Sequence, residues 1–236
     1  MSLLIKICGL STAPTLEAAL DGGADMVGFV FFPKSPRNLS FDQTAALAPL
    51  VAGRAAKVAL SVDADDALMD GIIAALRPDM LQLHGHETPE RVHALKVRTG
   101  LPVMKAIPIS IREDLAAIAA YENAADRLLF DAKPPKDAVL PGGNGMAFDW
   151  TILKDVQTRL PWMLSGGLNG ENVVAAVQAG APGLDVSSGV ESAPGIKDID
   201  LIHDFIAKAR QAAQERQANP VSLGSAAKSA RSVSPE

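Results

Sequence analysis

Several short apolar runs in this chain end in residues able to do chemistry. Lys6 and Cys8 close the run Leu-Leu-Ile-Lys-Ile-Cys, Gln82 and His84 close Met-Leu-Gln-Leu-His, and Asp131 closes Arg-Leu-Leu-Phe-Asp. Side chains two apart on a strand share a face, so Lys6 points with Cys8 and Gln82 with His84. A thiol and a carboxyl brought to one place can take and give protons. Each residue also has a plain structural use. A lone Cys packs as a small hydrophobe, and an Asp at a strand end forms turns or caps a helix. Lys105, in the middle of another run, fits a carbonyl-attacking amine or a structural ion pair equally well. His84 and His86 could be read as a metal pair, but His86 falls beyond the strand and is expected to face elsewhere.

Glycine loops form a second constellation. Ser165-Gly166-Gly167-Leu168 and Ser187-Ser188-Gly189 each follow an apolar run, and Gly142-Gly143-Asn144-Gly145 lies in a long connection. Glycines let backbone N–H groups approach and cradle a phosphate. One Gly-Gly is weak, because tight turns use it too. Two such loops on consecutive runs near the end of the chain, with a third feeding the same place, point to a phosphorylated small-molecule substrate.

The elements that must position these residues follow from alternation of apolar runs with amphipathic stretches. Strands are expected at 3–8, 26–32, 57–62, 80–84, 103–107, 127–131, 162–165 and 184–187. Helices are expected at 15–21, 42–51, 64–76, 89–99, 113–121, 150–158, 171–179 and 200–213. This gives eight strand–helix units within residues 1–210, the pattern of a single-domain (β/α)8 TIM barrel. An open doubly wound sheet shows similar alternation with fewer strands. In a barrel, all the strand ends carrying polar residues gather at one rim, where barrel enzymes work. The longest rim connections are 31–38 and 132–146. Residues 211–236 are rich in Ala, Ser and Gln; they are expected to finish the last helix and to be disordered beyond about 215.

Composition narrows the function classes. Of 236 residues, 48% are hydrophobic and 21% charged, as in ordinary globular chains. A net charge of −5 provides no basic footprint for nucleic acid or an anionic membrane. No run approaches the ~20 apolar residues of a membrane span, and Lys6 interrupts the opening apolar stretch, unlike a signal peptide. The single Cys excludes an internal disulfide, and a cytoplasmic location is expected. Monomer and homodimer both remain open.

In order along the chain, these motifs resemble phosphoribosylanthranilate isomerases. They are Lys6-Ile7-Cys8-Gly9, Gly28-Phe29-Val30-Phe31 with Ser35-Pro36-Arg37, Gln82-Leu83-His84-Gly85, and Asp131 with Gly142-Gly143-x-Gly145-x-x-Phe148-Asp149-Trp150. They continue with Ser165-Gly166-Gly167-Leu168, Asn172-Val173, Asp185-Val186-Ser187-Ser188-Gly189-Val190-Glu191 and Pro194-Gly195-x-Lys197-Asp198. The resemblance runs from about 3 to 210; Asn144 departs from it, standing where Thr or Ser is expected. It implies an Amadori rearrangement in tryptophan biosynthesis, with Asp131 as general acid and Cys8 as general base. Lys6, Arg37 and His84 would bind substrate, and Gly143, Gly145, Gly166, Gly167, Ser188 and Gly189 would hold its phosphate. It implies no metal and no cofactor.

The implied roles are demanding, since ordinary values of about 3.9 for Asp and 8.5 for Cys give the opposite starting states. Desolvation of Asp131, a cation such as Lys6 beside Cys8, or a small reverse-protonated population would meet that demand. Competing readings are a Schiff-base lyase using Lys6 or Lys105, a metal-dependent epimerase short of ligands, and a non-catalytic phosphometabolite binder. The related histidine-pathway isomerase would carry Asp where this chain has Cys8; activity on both substrates stays open.

Overall fold

Side-chain alternation along each short strand decides which residues enter the barrel and which face its helices. The computed structural model describes residues 2–218 apart from 136, 137, 139 and 144. Eight parallel strands close in the order β1-β2-β3-β4-β5-β6-β7-β8. They are β1 (Leu4–Cys8), β2 (Met26–Phe31), β3 (Ala56–Ser61), β4 (Met80–Leu83), β5 (Val103–Ile109), β6 (Arg127–Ala132), β7 (Trp162–Leu164) and β8 (Gly183–Val186). The ring excludes the open-sheet alternative, and β1 pairs with β8 at its seam, Lys6 opposite Asp185.

Around the ring stand α1 (Ala13–Asp21), α2 (Phe41–Val51), α3 (Asp66–Leu76), α4 (Pro89–Thr99), α5 (Ile118–Tyr121), α6 (Val173–Gln178) and α7 (Ile199–Ala218). Their starts follow capping chemistry. Ser40 and Gln43 form a reciprocal capping box at α2, and the Asp65 and Thr88 side chains accept backbone N–H groups at α3 and α4. Pro89 opens α4, and left-handed Gly100 ends it.

Odd and even strand positions separate two cores. Ile5, Ile7, Leu81, Leu83, Leu128, Phe130, Leu184 and Val186 face outward and pack with the helices. Inside the barrel, Met26, Val58, Met104, Ala106, Leu129 and Met163 fill a lower tier, and Cys8, Val30 and Leu60 form an upper one. Met104 and Ala106 face inward, so Lys105 between them must face out. It does, binding Glu87 at 2.9 Å and the Gly85 carbonyl at 2.7 Å.

Some expectations are revised. The helix expected at 113–121 is a 3-10 turn at Arg112–Ala117 that runs into α5, and the helix expected at 150–158 is a 3-10 turn at Trp150–Asp155. A hairpin of β9 (Glu191–Ala193) and β10 (Ile196–Lys197) follows β8. The last helix extends past 213 to Ala218, because Ala212 and Ala213 continue its buried stripe and Arg216 donates to the Val177 carbonyl. Residues 219–236, most of the segment expected to lack structure, lie outside the described residues, as does Asn144. Among the described residues, no helix is long and apolar enough to cross a membrane.

The amino end of the ring is tied at one point. Arg210 of α7 donates to the carbonyls of Leu3 and Gly23 and to Asp25 Oδ2, which also accepts from the Ile5 N–H. This face lies opposite the rim of chemistry, where residues contribute stability rather than turnover. Arg210→Ala is therefore expected to cost about 2–3 kcal/mol in chemical denaturation, with kcat at wild-type level in the folded protein.

Candidate active site

A cavity of about 640 Å³, open to solvent, lies over the carboxyl end of the barrel. Cys8, Arg37, His84, Asp131, Gly143, Gly166, Gly167 and Ser188 all line it. Gly145 and Gly189 do not: the position a Cβ of Gly145 would take is 3.9 Å from Ser188 Oγ, and Gly189 packs on the Leu168 carbonyl. Lys6 sits beneath the cavity, fully buried, so its reach into the site is through its neighbours.

Those neighbours form a buried charge group under the floor. Lys6 Nζ donates to Asp185 Oδ1 at 2.9 Å. Burial alone would lower the Lys6 ammonium, but Asp185 and the Cys8 sulfur outweigh it and hold the group above the ordinary lysine value. Burial pushes the Cys8 thiol up, Lys6 only partly offsetting it. Lys6 thus eases the ionisation of Cys8 without making thiolate the resting form. Burial also pushes Asp185 up, with the nearby Asp131 charge adding to it and Lys6 opposing it.

Asp131 is held from two sides. Its Oδ1 accepts from the Ala132 N–H at 2.9 Å, and its Oδ2 lies 3.0 Å from His84 Nε2. His84 Nδ1 in turn lies 3.0 Å from Gln82 Nε2. The connection after β6 folds directly onto this pair at Gly142, where a Cβ would stand 2.5 Å from Asp131 Oδ2 and 2.6 Å from His84 Nε2. Only a residue with no side chain lets the loop close there.

Arg37 is fixed at the opposite wall by Glu191. Its Nε and Nη2 donate to the two Glu191 oxygens at 2.7 and 2.8 Å, a bidentate pair. Lys197 Nζ also donates to Glu191, at 2.6 Å. Burial alone would raise the Glu191 carboxyl, but Arg37 and Lys197 together hold it below the usual carboxylate range. Two cations on one carboxylate leave a positive surplus at the rim, and Arg37 Nη1 faces Gly143.

Gly166 and Gly167 both have positive φ, at 87° and 64°. Gly167 is further restricted because a Cβ would meet the Met146 and Ala147 backbone at 2.6 Å. Its small size therefore serves the fit of the neighbouring loop whatever else it does. Across the barrel, Val30, Phe32, Leu60 and Val62 of the β2 and β3 ends make an apolar wall.

The other sequence candidates fall elsewhere. His86 is exposed and pairs with Asp63, away from His84. Among the described residues, no group of three or more His, Cys, Asp and Glu could hold a metal ion. Lys105 is sealed on the outer face of the ring, so it is an ion-pair residue rather than an amine for a Schiff base. The sequence reading assigned no role to Gln82, Asp185 or Glu191, and it read Gly142 only as part of a phosphate loop. Asp185 was detectable as a charged residue inside an apolar strand, whereas the partnership of Glu191 with Arg37 spans 154 positions and had no local signal.

Fold and site together define a (β/α)8 barrel whose rim cavity sets a thiol and a carboxyl among glycine loops. Comparison with known proteins narrows the class. The sequence model of the family described as N-(5'phosphoribosyl)anthranilate (PRA) isomerase matches residues 5–208. N-(5'-phosphoribosyl)anthranilate isomerase of Rhodopseudomonas palustris (strain BisB5) is 61% identical over 211 residues, 89% of this chain and 97% of that one. The crystal structure of phosphoribosyl anthranilate isomerase from Thermotoga maritima is 32% identical with a TM-score of 0.79, covering 89% of this chain and 99% of that one. A phosphoribosyl anthranilate isomerase in complex with reduced 1-(o-carboxyphenylamino)-1-deoxyribulose 5-phosphate is 30% identical with a TM-score of 0.75, over 89% of this chain and 99% of that one. The chain belongs to the N-(5'-phosphoribosyl)anthranilate isomerase family.

Two measurements check the charge group. Asp185→Ala leaves the Lys6 ammonium buried without its partner and is expected to cost about 3–5 kcal/mol in denaturant unfolding. In the intact protein, the alkylation rate of Cys8 plotted against pH should inflect above the ordinary thiol value, because burial disfavours the thiolate.

Proposed function

We infer that the chain catalyses the Amadori rearrangement of N-(5'-phosphoribosyl)anthranilate to 1-(2-carboxyphenylamino)-1-deoxyribulose 5-phosphate, a step of tryptophan biosynthesis. One observation carries this reading: Cys8 and Asp131 line the same cavity, between glycine loops on one side and an apolar wall on the other. The glycine loops with Ser188 suit the phosphate. The apolar wall suits the aryl ring, and Arg37 suits its carboxylate. A cytoplasmic location belongs to the same reading, since the mechanism needs Cys8 as a free thiol.

The chemistry is two proton transfers with no net redox change. Asp131 gives its proton to the ribose ring oxygen as the C1'–O bond breaks, and the anilino nitrogen supplies the electron pair that makes an iminium at C1'. Cys8 as thiolate takes the C2' proton, and those electrons form the C1'=C2' enolamine. The enolamine relaxes to the ketone by moving its hydroxyl proton to C1', and Cys8 releases the proton it took to solvent while Asp131 regains one from solvent, which restores both side chains. The iminium charge makes the C2' proton acidic, so a thiolate needs to be present only as a minor form. A thiolate disfavoured by burial is also the stronger base. Binding energy at the phosphate and the ring holds the sugar between the two groups.

Asp131→Asn and Cys8→Ser each remove one transfer. Each is expected to lower kcat by roughly 10²–10⁴-fold with KM little changed. The assay is loss of anthranilate fluorescence on substrate generated in situ. Wild-type turnover in either folded variant would remove that residue from the mechanism. The pH dependence follows from the raised Cys8 thiol. The thiolate fraction keeps growing with pH until that raised ionisation is passed. The thiolate-dependent rise of kcat/KM should thus level off only above the ordinary thiol range, and Cys8→Ser should lose that dependence.

A further inference from the structure

Sealing an ion pair away from water is costly, and apolar side chains of the same size often pack as well or better. Lys105 of β5 and Glu87, just ahead of α4, are such a pair on the outer face of the ring, both buried. What an apolar pair cannot do is bind backbone. An ammonium has three donors. Lys105 Nζ aims them at the Glu87 carboxylate, at 2.9 Å, and at the carbonyls of Gly85 and Leu83, at 2.7 and 3.3 Å. Those two carbonyls belong to the residues on either side of His84.

Glu87 grips the same turn. Its two oxygens accept the Gly85 N–H at 3.2 and 3.0 Å, and Oε1 also accepts the Asp63 N–H at 2.9 Å. Asp63 in turn accepts the His86 N–H. The Tyr121 hydroxyl donates to the Glu87 carbonyl at 3.0 Å, and its ring lies 5.7 Å from the Lys105 ammonium. The His84 N–H donates to the Ser61 carbonyl at 2.9 Å. The backbone from 83 to 86 is thus tied from behind, while the His84 side chain faces the cavity. There its Nε2 meets Asp131 Oδ2 at 3.0 Å. The ring stands at the far end of its side chain, so a small turn of the backbone at 84 swings Nε2 off the carboxyl.

We propose that Lys105 and Glu87 are positioning residues for the acid: from outside the ring they hold the turn whose His84 aims the Asp131 carboxyl at the substrate. This rests on the reading of Asp131 as general acid. Misplacing a reacting group by about 1 Å slows a reaction by about 10²-fold. Neither Lys105 nor Glu87 lines the cavity, so the substrate touches neither of them. Their loss therefore acts on kcat and leaves KM near its starting value. The Lys6–Cys8 side of the site, built on β1 and β8, is out of their reach.

The test sets Lys105→Met, Glu87→Met and the two combined beside the wild type, for melting temperature, kcat and KM, with the alkylation rate of Cys8 reporting on the other half of the site. Each single change strands one buried charge and should lower the melting temperature. The double change strands none and should melt above both single variants. Its kcat should nevertheless fall about tenfold or more, with KM and Cys8 alkylation within about twofold of wild type. Made in Asp131→Asn, the same double change should lower kcat by less than about twofold, because the group it positions is already disabled. A pair with only a structural use would shift melting temperatures and leave the double variant at wild-type kcat. That result overturns the proposal, as does an equal loss of kcat in the Asp131→Asn background, or Cys8 alkylation that changes in step with turnover. Should the double variant not fold, Glu87→Gln keeps the volume and one acceptor, removes the charge that holds Lys105, and is judged by the same two comparisons of kcat. A slow Asp131→Asn beside a fast double variant keeps the acid and removes only the role of Lys105 and Glu87; wild-type turnover in Asp131→Asn removes the acid itself.

Discussion

Water is excluded from the centre of a filled (β/α)8 barrel, so a charge placed there has to be met by another charge. The site is built on that constraint. Lys6 enters the interior because Leu4, Lys6 and Cys8 share one face of β1, and Asp185 meets it across the seam. The pair puts an ammonium next to the Cys8 sulfur and a carboxylate near Asp131. These charges meet in a setting of low dielectric, where their interaction is strong. At the rim the balance differs. Arg37 and Lys197 share one Glu191, which leaves a positive surplus where an anionic substrate would arrive.

Much of this was legible in the sequence. Parity of side chains put Lys6 with Cys8 and Gln82 with His84, and the eightfold alternation pointed to a barrel whose rim gathers them with Asp131. What could not be read was anything that depends on two distant segments touching. Gly142 and Gly167 looked like phosphate-loop glycines, yet Gly142 is small because the loop rests on Asp131 and His84, and Gly167 because the 146–147 backbone passes beside it. Lys105 was ambiguous until the inward-facing Met104 and Ala106 fixed its parity. The elements after β5 and β6 are short 3-10 turns because their sequences, 112–117 and 150–155, carry little of the apolar repeat that sustains a longer helix.

The two halves of the site are held by different kinds of contact. Asp131 and His84 belong to β6 and the end of β4, separated by 47 positions and joined through the ladder of β4, β5 and β6. Cys8 and Lys6 depend on β8, on the Ser187 hydroxyl that donates to the Cys8 carbonyl, and on the hairpin that carries Glu191.

That division has a consequence for the newly made chain. The Asp131–His84 half can assemble once the sixth strand has left the ribosome. The Lys6–Cys8 half cannot, because the partners of those residues lie 179 positions further along. Until those residues emerge, the first strand carries a lysine and a thiol with neither a counter-ion nor a neighbouring strand on that side. Closing so long a loop is entropically costly and slow. During synthesis the sole cysteine therefore waits for a late strand to shield it, and until then the nascent polypeptide is open to oxidation or misassociation there.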